Sequence, residues 1–202
     1  MQLVIDTCSR WVLVALIGSE IIKVIESAPR QASGRLISMV RDLLHKSGEK
    51  SVQEIIVVNG PGSFTGVRIG VATARNLCQL WNIPGRVVDS LTAYGSSLTG
   101  DRLILIDGKQ NKYYGRFFLN DQPGMLIDQE WEKYKQSLFP GLTVYIDEPE
   151  SLKEMAVQPL PAPDPVNIVR AAGEPIRWPD IKPVYLRKDP ATARYPQGYR
   201  HG

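Results

Sequence analysis

Glu54–Trp81, EIIVVNGPGSFTGVRIGVATARNLCQLW, is the stretch that decides the fold. Ile55–Val58 is a short run dense in β-branched residues, and Asn59-Gly60-Pro61-Gly62 stops it, which predicts a buried strand ending in a turn. From Thr65 the period becomes helical. Thr65, Arg68, Ala72, Arg75, Asn76 and Gln79 fall roughly on one face, with Val67, Val71, Leu77 and Leu80 elsewhere. Ser63 and Thr65 are placed to cap the first N–H groups of the helix. Gly66, Gly70, Ala74 and Cys78 recur every fourth residue and form a line of small side chains. Glycine inside a helix costs about 1 kcal/mol relative to alanine, so the line implies that something packs very close to this backbone. It fits a neighbouring helix of the same domain or a subunit interface. Arg68 and Arg75 argue against a membrane helix pair.

Working outward, the chain has 202 residues, 43% of them hydrophobic, and a net charge of +3. That is the composition of an ordinary globular protein, too weakly basic for a dedicated nucleic-acid binder. Two cysteines, Cys8 and Cys78, fall in predicted core elements and imply no disulfide framework. No apolar run reaches spanning length and the first residues read as a strand, so a cytoplasmic protein without membrane association is expected.

Before the central stretch, Gln2–Thr7, Arg10–Ile17 and Ile21–Glu26 read as three strands in hairpin succession. Ser33 is the expected cap of a helix with Leu36, Ile37, Val40, Leu43 and Leu44 on its apolar face, ended by Gly48. After it, Arg86–Asp89 reads as a strand and Leu91–Leu98 as a short helix, giving βββαβαβα. Near Gly100 the pattern restarts. Leu103–Asp107 (LILID) echoes Leu3–Asp6, and Lys112–Leu119 echoes the second strand. Met125–Asp128 and Leu142–Asp147 read as strands, with helical character at Trp131–Leu138, Glu150–Met155 and Val166–Ala172. Gln158–Pro165 reads as a loop, Pro183–Arg187 as a last strand and Ala193–Gly202 as a mobile basic tail able to touch RNA phosphates. The repeat predicts a duplicated α/β domain, with one lobe over 1–100 and a smaller one over 101–202.

The motif loop sits where phosphates often bind, at a strand-to-helix turn. It is not a Walker A loop, because Val67-Arg68 stands where Lys-Ser/Thr is required. Gly60-x-Gly62-x-x-x-Gly66, with Asp89 ending the next strand, imitates a dinucleotide fingerprint, but the opening hairpins are foreign to that fold. Asp6-Thr7 and Asp107-Gly108 end matching strands, as phosphate- and metal-holding loops of a two-lobed nucleotide fold would, or as plain turn residues would. There is no Gly-Gly pair for a second-lobe adenosine loop. His45 and His201 are the only histidines, and no metal-ligand set is legible. Cys8 reads as a buried thiol, and Ser63 does not fit the nucleophile elbow.

NGPGSFTGVRIGVATARNL resembles the signature of the bacterial TsaB (YeaZ) family. LVIDTCS at the start, LILIDGKQNKYYGRFF opening the second half and PVYLR near the end support it, so the likeness runs from the first strand to Arg187. The resemblance implies the α/β fold shared by actin and sugar kinases (the ASKHA fold), two RNase H-like lobes, here with the second reduced. It implies a non-catalytic subunit that binds a TsaD-type catalytic subunit, with a TsaE-type ATPase joining, to place a threonylcarbamoyl group on an adenosine beside the tRNA anticodon. ATP or ADP and metal would then belong to the partner or the complex, with no cofactor in the isolated chain. tRNA would be met only through the complex. The family's pairing helices map onto Arg35–Lys46 and Thr65–Trp81, which makes Arg35, Met39, Asp42, Gly66, Arg68, Ile69, Gly70, Thr73, Ala74, Leu77 and Cys78 the expected interface. The same surface is expected to pair two copies when the chain is alone. Gly60, Pro61, Gly62, Ser63, Phe64 and Thr65 form the motif loop, and Asp6, Thr7, Asp107 and Gly108 are vestigial phosphate loops. The alternatives are a small kinase or ATPase of the same fold using Asp6 and Asp107, or a dinucleotide-binding oxidoreductase.

Overall fold

The computed structural model describes residues 1–26, 32–48, 51–152 and 156–187. Strand β4 is Glu54–Val58 and helix α2 is Phe64–Trp81, so the predicted β-branched run and helical period both form. Ser63 caps α2 through its side chain on the Gly66 amide, and Asn82 in the left-handed region closes it by donating to Cys78 O and Gln79 O.

Around this unit lie β1 Gln2–Asp6, β2 Val12–Ile17, β3 Ile21–Glu26 and β5 Gly85–Val88, in a five-stranded sheet of order β3-β2-β1-β4-β5. β1 pairs antiparallel with β2 and parallel with β4. Central β1 and β4 are buried over Leu3–Ile5 and Ile55–Val58, as apolar runs covered on both faces should be. Helix α1, Ala32–Lys46, packs on β2 beside α2. It begins one residue before Ser33, and Gly48 at φ +72° ends the turn beyond it.

α3, Ser90–Gly95, is capped by Asp89, whose side chain accepts from the Thr92 amide at 2.9 Å. The second sheet contains β6 Arg102–Asp107, β7 Lys112–Leu119, β8 Gln122–Pro123, β9 Ile127–Glu130, β10 Thr143–Ile146 and β11 Gln158–Pro159. Its order is β11-β10-β6-β7-β8, with β9 also on β7. β6 pairs antiparallel with β7 and parallel with β10, the same arrangement that β1 makes with β2 and β4. The repeat extends to side chains: Asp6 accepts from the Cys8 amide at 2.9 Å, and Asp107 from the Lys109 amide at 2.7 Å. In each case an Asp at the end of a central strand turns the chain by bonding the amide two residues on.

Several elements differ from expectation. The predicted helix at Trp131–Leu138 is the single turn α4, Trp131–Lys135; of that at Glu150–Met155, the start lies in a 3₁₀ turn, Pro149–Ser151, and residues 153–155 lie outside the described residues. Gln158–Pro165 contributes a two-residue edge strand and the first residue of α5, Pro165–Ala171. Pro183–Arg187 is irregular and forms no strand. Pro183 has no N–H to donate, and the Lys182 carbonyl is taken by the Asn59 side chain at 2.9 Å. The tail Ala193–Gly202 lies outside the described residues.

The stretch 165–187, counted with the second half in the sequence, lies on the first sheet. α5 packs on β1, β2 and β4, and the 3₁₀ turn Trp178–Asp180 packs on α2. Arg86 of β5 fixes the end of α5 by donating to Gly173 O, Val169 O and Ala172 O at 2.7, 3.1 and 2.8 Å. A guanidinium at a helix C-terminus satisfies carbonyls that have no helical partner. The main core is continuous between the sheets: Ile104, Ile106, Phe118 and Leu160 share it with β1, β2 and β4.

Candidate functional site

The motif loop rests on the turn between β1 and β2. Its Gly60–Pro61 bond is cis, and Gly60 sits at φ +100°, a conformation that favours glycine. The Ser63 amide donates to Cys8 O at 2.8 Å, and a Cβ on Gly62 would run into that same carbonyl. Ser90 Oγ donates to Pro61 O. Gly60 and Pro61 are buried, whereas Phe64 and Thr65 are exposed at the start of α2.

The line of small residues faces inward, and this corrects part of the expected interface. Gly66, Gly70, Ala74 and Cys78 are buried. Gly66 lies against the Thr7 carbonyl and Gly70 against Thr7 Oγ1, which itself donates to Gly66 O at 2.6 Å. The close neighbour of Gly66 and Gly70 is the end of β1, not another helix or a second subunit. These four residues are therefore unavailable to a partner, as is Met39, 4% exposed beneath α1.

The remaining expected residues border a different surface. Arg35 and Asp42 are exposed on α1, and Leu77 of α2 lines a groove between the two helices. Ile69 and Thr73 lie on the same helix as Leu77, eight and four residues before it. The groove has a volume of about 580 Å³ and is lined by Ile37, Val40, Arg41, Leu44, His45, Ser51, Val52, Leu77 and Trp81. Ile37 is 57% exposed, and Leu80, on the adjoining turn of α2, is 76% exposed. Ile37 and Leu80 are the apolar residues that sequence reasoning left out of the interface; both lie off the buried stripe of their helix. Arg35 pairs with Glu26 at 2.7 Å, and Arg41 contacts its neighbour Asp42 at 3.2 Å, so these charges are partly neutralised at the rim. Arg68 is engaged elsewhere, its guanidinium 3.7 Å from the Phe64 ring centroid and its Nε donating to Tyr185 Oη at 3.2 Å.

The proposed phosphate loops are occupied from within. Asp6 is fully buried and Thr7 is 2% exposed. Tyr94 Oη donates to the second Asp6 carboxylate oxygen at 2.8 Å. Burial raises the Asp6 pKa to about 6 against these hydrogen bonds. Asp6 and Thr7 thus serve the turn and the α2 contact, in line with the reading of them as turn residues. In the second sheet Lys109 Nζ bridges Asp107 and Glu148 at 2.8 Å each, and the Asp107 amide donates to Asp147. Asp147 is buried, and its pKa also rises to about 6, chiefly through desolvation. Gly108 is covered by the Arg187 guanidinium, which donates to Gly108 O at 2.6 Å. Asp89, the candidate ribose acid, caps α3 and pairs with Arg116 of β7 at 3.0 Å. Among the described residues no group of three or more His, Cys, Asp or Glu side chains is placed to hold a metal ion. Cys8 and Cys78 are buried free thiols, and burial raises both pKa values.

Two duplicated mixed sheets, joined through a shared core and with paired helices on the outer face of the first, define an actin-like two-lobed α/β protein. The family model described as "TsaD: tRNA N6-adenosine threonylcarbamoyltransferase" matches residues 19–120. The Escherichia coli K12 protein described as "tRNA threonylcarbamoyladenosine biosynthesis protein TsaB" is 30% identical over 138 residues, 64% of this chain and 60% of that protein. Its Bacillus subtilis counterpart is 32% identical over 119 residues, 55% of this chain and 52% of that protein. The chain thus matches these relatives over less than two-thirds of their length. The solved YeaZ structure from Pseudomonas aeruginosa superposes with a TM-score of 0.78 over 92% of this chain and 99% of that one, at 21% identity, and shows the same fold. The chain belongs to this family, as one of its TsaB/YeaZ members. No helix among the described residues is long and apolar enough to cross a membrane.

Proposed function

We propose that this chain is a non-catalytic subunit of the tRNA threonylcarbamoyladenosine machinery, which binds and holds a TsaD-type catalytic subunit through the outer face of α1 and α2. The observation that carries this reading is the apolar groove between those helices, with Ile37 and Leu80 exposed beside it. A surface helix pair ordinarily turns its apolar residues inward; large apolar side chains left beside a groove favour a protein partner. Arg35, Asp42, Ile69, Thr73 and Leu77 complete the contact. In the absence of the partner, the same face pairs two copies of the chain. A TsaE-type ATPase joins the complex, tRNA is met through it, and nucleotide and metal belong to the partner or the joint assembly. The carboxylates that a kinase of this fold would use are engaged by Tyr94 and Lys109, which favours the scaffold role over the kinase reading.

The test is light scattering coupled to size exclusion, with the chain alone and mixed with the TsaD-type protein of the same organism. A one-to-one complex is expected at the expense of any homodimer. Leu80→Glu and Ile37→Glu are exposed changes that leave monomer stability within about 0.5 kcal/mol. Each should weaken the complex by at least about tenfold, or ~1.4 kcal/mol. A missing complex, or variants that bind like the parent chain, would overturn the proposal.

A further inference from the structure

Besides the shared core, polar contacts join the two sheets at α3 and at the segment Ile181–Arg187. At α3 Gly95 is buried against the Phe118 ring, and the part-buried Asp89 pairs with Arg116. The second of these contacts is made by an irregular segment, Ile181–Arg187. Ile181 is buried, and its side chain lies against Gly85. The Val184 amide donates to Asn59 O at 2.8 Å, on the turn that leads into the motif loop. The Tyr185 ring lies 5.6 Å from that of Phe64. Arg187 then reaches the second sheet. Its Nε and Nη2 donate to the two Asp128 oxygens at 2.6 and 2.5 Å, and its Nη1 donates to Gly108 O at 2.6 Å. Its guanidinium also lies 4.8 Å from the Tyr114 ring centroid.

We propose that Ile181–Arg187 is a releasable latch between the strand-end turns of the two sheets, with Arg187 as its catch on Asp128 and Gly108. The forked guanidinium gives three charge-assisted bonds from one side chain, and no other hydrogen bond links this segment to the second sheet among the described residues. The pair is still partly open to water, 25% exposed at Arg187 and 17% at Asp128, and the segment has no ladder of its own to hold it. Loss of the catch frees the strap and uncovers Gly108, while the Asn59–Pro61 turn, held by Val88 and Ser90, and β1 and β4 stay in place.

Amide hydrogen exchange on the full chain, followed residue by residue, tests this. In Arg187→Ala the Val184 amide and the Gly108 amide, which donates to Lys112 O at 2.9 Å, should exchange at least about tenfold faster. Amides of β1 and β4 should keep their rates. Arg187→Lys, which retains the charge and loses the fork, should show a smaller increase at the same amides. Asp128→Asn, with the charge removed from the other side, should act in the same direction as Arg187→Ala. An equal acceleration at all amides, no change at Val184 and Gly108, or failure of Arg187→Ala to fold would each show that the contact is no separate catch, and would overturn the latch.

Discussion

Gly70→Ala is the substitution that tests the inward packing of α2 most directly. In an open helix it should stabilise by about 1 kcal/mol. Here the new methyl meets Thr7 Oγ1, with Thr7 Cβ at 3.7 Å and Ile5 Cγ2 at 3.8 Å. Thr7 is 2% exposed, and its hydroxyl is committed to Gly66 O at 2.6 Å, so it has little freedom to turn away. Overpacking of this kind costs about 1–3 kcal/mol, and displacing the hydroxyl forfeits about 1 kcal/mol more. Set against the helix gain, the net expectation is a loss of about 1–3 kcal/mol, or roughly 2–12 °C in Tm for a chain of this size. Thr7→Ala alone removes one hydrogen bond and should cost about 1 kcal/mol. The double variant should be more stable than the two single losses predict, because the methyl added at position 70 occupies the space that the Thr7 hydroxyl vacates. Urea unfolding of the four proteins, followed by the emission of the four tryptophans, measures the cycle. A Gly70→Ala protein more stable than the parent, or single effects that simply add, would refute the close contact with β1. By the same geometry Gly70→Arg should fail to fold; a folded monomer that had merely lost its partner would return the small-residue line to the interface.

Three further expectations follow from buried polar groups and the α5 dock. The Asp6 pKa rises on folding to about 6, so the folded state binds the extra proton and stability falls as pH increases from about 4 to about 6. Asp6→Asn should lose that component of the slope; urea midpoints between pH 4 and 8 that move in parallel with the parent's would contradict it. Asp147→Asn should flatten the same pH window, since desolvation raises that carboxyl to about 6 as well, again read from midpoints against pH. Arg86→Ala removes three bonds to the end of α5 and should cost about 2–3 kcal/mol, with faster proteolysis around 165–176; an unchanged urea midpoint would show that α5 docks without it.

The central unit was legible because its signals are local. β-Branched residues, the Asn-Gly-Pro-Gly turn and a capped helical period lie within one short stretch, and the LVID/LILID echo marks the duplication. Pro183–Arg187 was not legible as an irregular strap, because the segment is held through Asn59, which stands 123 positions from Lys182. The docking of α5 was hidden for the same reason, since Arg86 sits on a strand far in sequence from the helix it secures. The line Gly66, Gly70, Ala74 and Cys78 was legible as a close contact and ambiguous in its partner. Absent side chains record that a backbone approaches, not whose backbone it is.

That ambiguity bears on where a ligand or partner can act. A phosphate or cation approaching Asp6 would have to displace the Tyr94 hydroxyl and enter a site with no exposed surface. At Asp107 it would meet Lys109 already seated between two carboxylates. Both routes break existing charge-assisted bonds before forming new ones, and a buried group stripped of its partner costs about 1–3 kcal/mol. The α1–α2 groove asks for no such exchange. Leu80 at 76% exposure and Ile37 at 57% already face outward, and covering each yields about 1 kcal/mol or more of apolar burial without rearranging the fold. The carboxylates that look catalytic in sequence therefore hold the lobes' turns, while the residues left open to contact on this face are aliphatic side chains on two helices, whose significance depends on which faces the rest of the chain leaves uncovered.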